Sequence, residues 1–408
     1  MESIEQMIKR LCPKGVEYVK LGEVGKFYGG LSGKSKNDFV DGNAKFITYM
    51  NVYSNPSLCV DVEEKVVIKE GERQNTIQYG DILFTGSSET PDECGMSSVL
   101  TTHVEEDLYL NSFCFGYRFD DLTDINPHFL KHLFRSASLR KAIAKTANGV
   151  TRFNVSKKLF AEIEIPLPPL EIQSRIVEVL DKMTTLTAEL TAELEARKQQ
   201  YEYYRNKLLS FNEIGEGNRQ VTWKKISEIG QICMCKRIMK DQNHKQGEIP
   251  FYKIGTFGGT ADAYISRELF EDYRARFKFP KKGDLLISAA GTIGKTVVFD
   301  GKDSYFQDSN IVWVDNDETI VTNRYLYHIY KIINWKTDGG TIRRLYNDNL
   351  RNTIIPVPSM EEQSRIVSIL DRFETLTTDL QSGLPAEIEA RRQQYEYYRN
   401  KLLTFEAV

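Results

Sequence analysis

Ala289-Ala290-Gly291-Thr292-Ile293-Gly294-Lys295-Thr296 satisfies the loosest form of a phosphate loop, A/G-x-x-x-x-G-K-S/T. Such a loop works by opening a helix whose first N–H groups hold the phosphates. Here TVVFD follows, a β-branched run that predicts a strand, and the matching first-half loop TGSSETPDECG has no lysine. Asn126-Pro127-His128-Phe129 has the outline of the tetrad with which adenine methyltransferases hold a flipped base. His128 stands at its second Pro position, however, and no FxGxG cofactor loop precedes it. Pro127 reads instead as the first residue of a short helix. His128 and His132 stand at i, i+4, a spacing suited to a metal, but no HExxH glutamate lies between them. Leu130, Leu133 and Phe134 surround His132, which marks it as structural. Pro91-Asp92-Glu93 outlines a nuclease carboxylate pair without the lysine such a site needs. No Ser/His/Asp arrangement emerges. The expectation is a chain with no catalytic residues and no metal site of its own.

The elements that carry these residues fill 408 positions, too many for one ordinary core, so two or more domains are expected. Charged residues make up 27% and hydrophobic ones 41%, ordinary for a globular protein. MESIEQMIKRLCPKG lacks the apolar core of a signal peptide, and no apolar run reaches membrane-spanning length. Six cysteines without CxxC spacing fit a reducing cytoplasm, with Cys233 and Cys235 as buried thiols. The net charge of −3 argues against coating nucleic acid by bulk charge. It leaves open local basic faces that contact phosphates.

Internal repetition is the strongest signal. QQYEYYRNKLL occurs at 199–209 and again, unchanged, at 393–403. EIQSRIVEVLDKMTTLTAEL (171–190) matches EEQSRIVSILDRFETLTTDL (361–380), and IPLPP (165–169) matches IPVPS (355–359). Further upstream VEYVKLGEVG (16–25) parallels VTWKKISEIG (221–230), and GDILFTGSS (80–88) parallels GDLLISAAG (283–291). NPHFLKHLF (126–134) echoes NRYLYHIYK (323–331) loosely. The chain reads as a duplication of a divergent globule followed by a similar helix. The globules are mixed α/β, with strands expected in KVVIK (65–69), GDILFT (80–85), FCFGYRF (113–119), GDLLIS (283–288) and TVVF (296–299). Short helices are expected after Pro127 and Arg324, and NEIGEGNRQ (212–220) reads as a linker.

From Ile176 to Phe211 the seam residues recur at alternating gaps of 4 and 3, interrupted only by Thr187 and Arg197. A helix over about 171–211 would be about 60 Å long, which calls for a partner helix rather than burial in one small domain. The second copy carries four extra residues, a stutter that keeps the apolar face. Its Gln381-Ser382-Gly383-Leu384-Pro385 predicts a helix restarted with Pro385 at its first position. The tandem TAEL at 187–190 and 191–194 reads as a length element adding about 6 Å per unit. The expected seam of the helix pair is Leu180, Leu190, Leu194, Tyr201, Tyr204 and Leu208 with Leu370, Leu380, Leu384, Tyr395, Tyr398 and Leu402. MESIEQMIKRL is expected to pack near the end of the second helix.

The arrangement IPLPPLEIQSRIVEVLDKM…ELEARKQQYEYYRNKLLSF, repeated as IPVPSMEEQSRIVSILDRF…EIEARRQQYEYYRNKLLTF, resembles the specificity subunit of Type I restriction-modification enzymes. TAELTAEL and SGLP resemble its IC-type branch, and the GDILFTGSS and GDLLISAAGTIG loops resemble those of its target-recognition domains. The resemblance covers nearly the whole chain and is most specific in the helical blocks. It implies an α/β protein with two mixed α/β target-recognition domains, separated by two long helices that form an antiparallel coiled coil in a pseudo-two-fold duplication. The expected bounds are 1–165 and 213–355 for the domains, and 166–212 and 356–408 for the helical regions. The resemblance further implies double-stranded DNA, two methylation subunits and two restriction subunits as partners, and no membrane. S-adenosylmethionine, ATP and Mg would belong to those partners and not to this chain.

No DNA contact carries over residue by residue, because such domains vary most where they read. Loop groups able to reach phosphates or base edges are therefore the candidates. In the first globule they are Lys34, Ser35, Lys36, Ser87, Ser88, Asn148 and Arg152. In the second they are Lys236, Arg237, Lys240, Thr292, Lys295, Arg343 and Arg344. A coiled-coil scaffold whose globules bind protein remains the alternative, as does a self-sufficient methyltransferase or NTPase. The absent cofactor loop counts against the last. A scaffold, in turn, has little need for different heads on equal arms.

Overall fold

The paired stretches GDILF and GDLLI become the central strands of two similar sheets in the computed structural model, which describes residues 2–211, 221–338, 343–379 and 381–408. The chain divides into two compact units, Met1–Thr191 with Glu387–Val408, and Ala192–Ala386. In the first unit, strand Ile82–Thr85 lies between Cys114–Phe119 and Ser97–Val99, with Gly25–Gly29 at the edge, all antiparallel. All four of its residues are buried. Side chains alternate across a strand, so Ile82 and Phe84 enter one core with Phe115, Phe129 and Phe160. Leu83 enters another core, with Ile47, Leu58 and Leu110. A strand covered on both faces reads as an unbroken apolar run.

The second unit repeats the scheme. Leu285–Ser288 lies between Ile311–Asn316 and Thr296–Val298, with Gly230–Met234 at the edge. Leu285 and Ile287 face one core and Leu286 the other. Each central strand starts from the same turn. Gly80 (φ +85°) and Gly283 (φ +96°) occupy a conformation open to glycine. The next residue accepts from the chain three residues back: Asp81 from the Gln78 N–H (2.8 Å), Asp284 from the Lys281 N–H (2.7 Å). Each unit adds a three-stranded sheet with one parallel pair, Ala44–Ile47 with Leu108–Leu110 and Ile249–Tyr252 with Tyr305–Phe306. A two-stranded ribbon joins the ends of each globule, Tyr18–Lys20 with Glu164–Pro166 and Val221–Lys225 with Ile354–Pro358.

Some strands are shorter than their sequence suggests. In KVVIK only Lys65–Val66 pairs, because the Asn43 amide takes both the N–H and the C=O of Ile68 (2.8 and 3.0 Å). TVVF pairs over Thr296–Val298. All six cysteines are free, and Cys233 and Cys235 are buried. Among the described residues no helix is long and apolar enough to cross a membrane.

The first arm is one unbroken 41-residue helix, Leu170–Ser210. The second arm is two helices, Met360–Thr378 and Leu384–Leu402. Pro385 occupies the second helical position, not the first. Either position lacks an intrahelical acceptor for its N–H, so the proline loses nothing there. The turn before it is held by the Asp379 carboxylate, which accepts from the Gln381 N–H (2.8 Å), and by the Gly383 N–H, which donates to the Asp379 carbonyl (3.0 Å).

Burial along the arms follows the expected spacing in most places. Leu180, Leu208, Leu370 and Leu384 are buried, while Leu190, Leu194, Tyr201, Tyr395 and Leu402 are half-buried. Tyr204 and Tyr398 depart from it, each remaining 38% exposed. A phenol covers a neighbour with its face while keeping its hydroxyl in water. Tyr204 does so on Phe373 in the second unit (5.8 Å, 25° between planes), and Tyr398 packs edge-on against Tyr397. Leu380 and the linker 212–220 lie outside the described residues.

In each unit the globule is joined to an arm by a fully buried glutamine. Gln173 donates to the carbonyls of Asp124 (2.8 Å) and Pro168 (2.7 Å) and accepts from the Asn126 N–H (2.9 Å). Gln363 donates to Ile320 (2.9 Å) and Pro358 (3.0 Å) and accepts from the Thr322 N–H (3.0 Å). Asn126 and Thr322 therefore correspond, each capping a short helix, Pro127–Leu133 or Asn323–Tyr330. The echo between NPHFLKHLF and NRYLYHIYK is thus out of register by one residue, and the correct register places His132 on His328. Both histidines bond an arm carboxylate at 2.7 Å, Asp181 and Asp371. His132 also meets the Tyr395 hydroxyl at 2.9 Å through its other ring nitrogen.

The N-terminal helix Ile4–Leu11 is in the first unit too. Ile4 and Met7 share a core with Leu403 and Phe405, and Glu5 pairs with Lys401 at 3.3 Å.

Removing a glutamine joint leaves buried backbone groups unpaired, at about 1–3 kcal/mol for each group. Gln173→Ala and Gln363→Ala are each expected to destabilise the protein by about 3 kcal/mol in denaturant titrations; losses below about 0.5 kcal/mol would show that the joints carry little.

Burial pushes the His132 and His328 imidazoles below their ordinary range, against the pull of their aspartates. Burial also pushes the Asp181 carboxyl up, but its bonds from His132 and Lys131 outweigh that and hold it at about 2. In each case the unfolded chain binds protons first as pH falls. Stability is therefore full above about pH 6.5, declines as the histidines titrate, and declines again as pH falls from about 4 towards 2. Between pH 7 and 5 the unfolding midpoint should fall, and a His132→Gln, His328→Gln double variant should lose most of that slope.

Candidate nucleic-acid interface

Four of the first-globule candidates are brought together by a small sheet in which Ser87–Ser88 pairs with Phe153–Val155 and the latter with Ala147–Asn148. Arg152 donates from Nε to the Ser87 hydroxyl (3.1 Å), and its guanidinium lies 5.8 Å from the centre of the Phe113 ring. Asn148 is exposed and bonds the Thr146 carbonyl (3.3 Å). Ser88 donates to Glu93 (3.2 Å). Glu93, in the PDE stretch, also accepts from Tyr53 (2.9 Å) and Thr90 (3.0 Å), so this carboxylate ties a loop together.

The loop of Lys34, Ser35 and Lys36 is a separate feature. Lys34 has a side chain only 5% exposed, bound to Glu72 (2.5 Å) and the Val67 carbonyl (2.6 Å). Its ammonium holds the Glu72 carboxyl down at about 2. Lys34 thus holds its own loop together. Ser35 bonds Asp38 (2.7 Å) at the start of a short turn of helix, and Lys36 is exposed.

In the second globule Arg237, Lys240 and Arg344 line one cleft of about 400 Å³ with Lys253, Asn243 and Asn310. Arg237 pairs with Asp308 (2.8 Å). Arg344 donates to Asn310 Oδ1 (2.7 Å) and to the Ser309 hydroxyl (3.2 Å). Lys236 lies outside the cleft, with its ammonium 5.1 Å from the Phe277 ring. Arg343 is exposed. Thr292 is exposed and its carbonyl accepts from Ser288, while Lys295 Nζ donates to the Phe257 carbonyl. The strand Thr296–Val298 follows Lys295 directly, so the loop opens no helix that could cradle a phosphate.

Two other chemical candidates resolve into packing. Asn126 caps its helix by accepting from the His128 N–H (2.9 Å), with Pro127 as the first helical residue. His328, Asp371 and Glu374 bring three potential ligand atoms within 4.8 Å of one another. Their carboxylates are already held by Arg324 (2.9 and 3.0 Å), Lys331 (2.7 Å) and Tyr327 (2.7 Å), so the cluster is an ion-pair network.

The sequence did not single out Arg135, whose guanidinium joins the helix Tyr49–Ser54 to the strand Ser97–Val99, or Arg140, whose guanidinium organises the loop that follows Ser88. Arg135 donates to the carbonyls of Ser97 (2.8 Å), Val52 (3.1 Å) and Tyr53 (2.9 Å). Arg140 donates to those of Asp92 (2.7 Å), Cys94 (2.6 Å) and Gly95. Neither has a charge partner in sequence that could have flagged it. Phe113 was missed because an exposed aromatic inside a strand run reads like its buried neighbours.

The family model for the type I restriction modification DNA specificity domain matches residues 13–197 and again 218–390. A putative type I restriction enzyme specificity subunit of Haemophilus influenzae is 52% identical over 290 residues, 69% of this chain and 73% of the relative. The EcoR124I/EcoR124II specificity subunit of Escherichia coli is 36% identical over 62% of this chain and 64% of its own length. Among solved structures, a chain from work on complex assembly and conformational transition of the type I R-M system aligns with a TM-score of 0.67 at 20% identity, over 96% of this chain and 98% of that one. The HsdS subunit of Thermoanaerobacter tengcongensis aligns at 0.53, also at 20% identity, over 96% and 97%. At such identity these structures establish the fold.

The two lysines of one loop should behave differently. Lys34→Ala is expected to lower the melting temperature and expose the loop to protease, because it strands Glu72; Lys36→Ala should leave both unchanged. Equal behaviour of the two variants would contradict the geometry.

Proposed function

This chain belongs to the type I restriction-modification DNA specificity family, and from that premise we propose how its parts recognise DNA. It is a specificity subunit with two target-recognition domains. In our reading each domain (1–165 and 213–355) reads one half of a bipartite target, while the helical regions (166–212 and 356–408) set the spacing between them. The arms pair as an antiparallel coiled coil. In support, each unit contains the early part of one arm and the late part of the other, as antiparallel pairing requires.

The observation that carries the reading is the contrast between constant arms and divergent tips. QQYEYYRNKLL is unchanged in its two copies, and its outward tyrosines match as well: Tyr203 and Tyr397 are 60% and 62% exposed. Equal surfaces suit two copies of one partner, which we assign as the methylation subunits. Two restriction subunits complete the assembly. Adenine methylation and ATP-driven cleavage, with S-adenosylmethionine, ATP and Mg, belong to those partners, and this chain supplies recognition without catalysis. The tips share a framework but not its side chains, as two different half-sites demand.

For phosphate and base contacts we retain Ser35, Lys36, Ser87, Ser88, Asn148 and Arg152 in the first head, and Lys236, Arg237, Lys240, Thr292, Lys295, Arg343 and Arg344 in the second. Each phosphate neutralised in a duplex contributes about 0.9 to the slope of log K against log salt. Lys240→Ala is expected to weaken binding of the assembled complex to all sequences and to reduce that slope by about 0.9; an unchanged slope would remove Lys240 from the interface.

Methylome sequencing of cells carrying this chain with its methylation partner should show a bipartite methylated-adenine motif that disappears when the chain is deleted. Methylation that survives the deletion would favour a scaffold. Adding a third TAEL unit should lengthen the unspecified spacer and leave both half-sites intact; a changed half-site with the old spacer would contradict the spacing role.

A further inference from the structure

Phe113 is a large apolar side chain left 60% exposed, and among the described residues it joins no apolar core. Its backbone is nevertheless pinned on both sides. The carbonyl accepts from the Gly86 N–H (2.8 Å), and the N–H donates to Asn111 Oδ1 (2.8 Å). Arg152 stands over the ring at 5.8 Å while bonded to Ser87 (3.1 Å). Val150, on the hairpin that carries Arg152, is 91% exposed. A rigid frame thus presents an apolar ring beside a guanidinium, among the groups assigned above to DNA.

The second unit builds the same frame. The Ala289 N–H donates to the Asn310 carbonyl (2.7 Å), as Gly86 does to Phe113. The Leu345 N–H donates to the Ala289 carbonyl (2.9 Å), as Val155 does to Gly86 (3.1 Å). Asn310 therefore occupies the position of Phe113. Its amide oxygen is taken by Arg344 (2.7 Å), and the preceding Ser309 adopts φ +51°, which a non-glycine residue rarely does. One framework position is apolar in one head and an amide in the other.

Within the reading that these heads recognise DNA, we propose that this shared position determines specificity, and that Phe113 contacts the 5-methyl group of a thymine in the first half-site. That methyl is the apolar group displayed in the major groove, whereas an amide such as Asn310 reads by hydrogen bonds. Arg152, beside Phe113, takes an adjacent acceptor on a base or phosphate.

The test uses the whole chain in its complex with the methylation subunits. In the methylome, Phe113→Ala should relax one A·T position of the first half-site and leave the second half-site and the spacer unchanged, whereas Phe113→Leu should keep the preference. In binding assays, duplexes carrying deoxyuridine in place of each first-half-site thymine in turn remove one methyl at a time. One such replacement should weaken binding of the unaltered complex about fourfold, the worth of one buried methyl-sized group, and leave Phe113→Ala unaffected. The proposal is overturned if no replacement matters to the unaltered complex, if both proteins respond alike, or if Phe113→Ala loses its methylation partner instead of its base preference. An unaltered complex that writes no bipartite motif would sink the parent reading; a normal motif indifferent to Phe113 would sink this one alone.

Discussion

A glutamine side chain buried from water must find partners for both its amide groups, and Gln173 and Gln363 find theirs in backbone: two bonds each to a globule and one to the proline segment that leads into the arm. Each sits in the first turns of an arm and bonds the chain on both sides of a turn in its own globule. One residue thus ties the start of the arm to its globule by two bonds and to the segment before it by a third. An apolar residue could fill the same volume, but it would leave those backbone groups unpaired in a dry environment, where each costs far more than a bond gained in water. The His132–Asp181 and His328–Asp371 pairs add a second point of attachment further along the arm in each unit.

With that attachment fixed, the rest of each globule is free to change. The central strand is buried on both faces by two separate cores, so the sheet tolerates different loops at its ends without losing its seat. The loops that follow Thr85 and Ser288 differ in length and side chains, yet the backbone bonds of Gly86 with Phe113 and Val155 recur in the second unit as those of Ala289 with Asn310 and Leu345. In the proposed reading, recognition lies where the framework is constant and the side chains are not, so that the stability of the protein and the identity of its target rest on different residues.

The arms and the duplication were legible because they are periodic and repeated: heptad spacing, the QSRIV block and QQYEYYRNKLL need no tertiary context. The central strands were legible because GDILF and GDLLI combine a glycine turn with a continuous apolar run. The one-residue misalignment of NPHF with NRYL arose because a cap can be Asn or Thr, and only the shared bond to a glutamine shows that Asn126 and Thr322 correspond. Lys34 looked like a ligand for phosphate because its partner Glu72 is distant in sequence. Arg135 and Arg140 were invisible for a related reason, since their partners are backbone carbonyls, which carry no sequence signature. Phe113 needed a measure of exposure that no pattern supplies.

The central claim is that the two heads are interchangeable readers on a common frame. The most direct measurement is methylome sequencing of a complex whose specificity chain carries a second copy of residues 16–168 in place of 221–358, joining the halves at the equivalent ribbon ends. The account predicts a symmetric motif with the first half-site on both sides and an unchanged spacer. A motif that keeps the original second half-site would contradict it, and so would a folded, assembled complex that methylates no defined sequence.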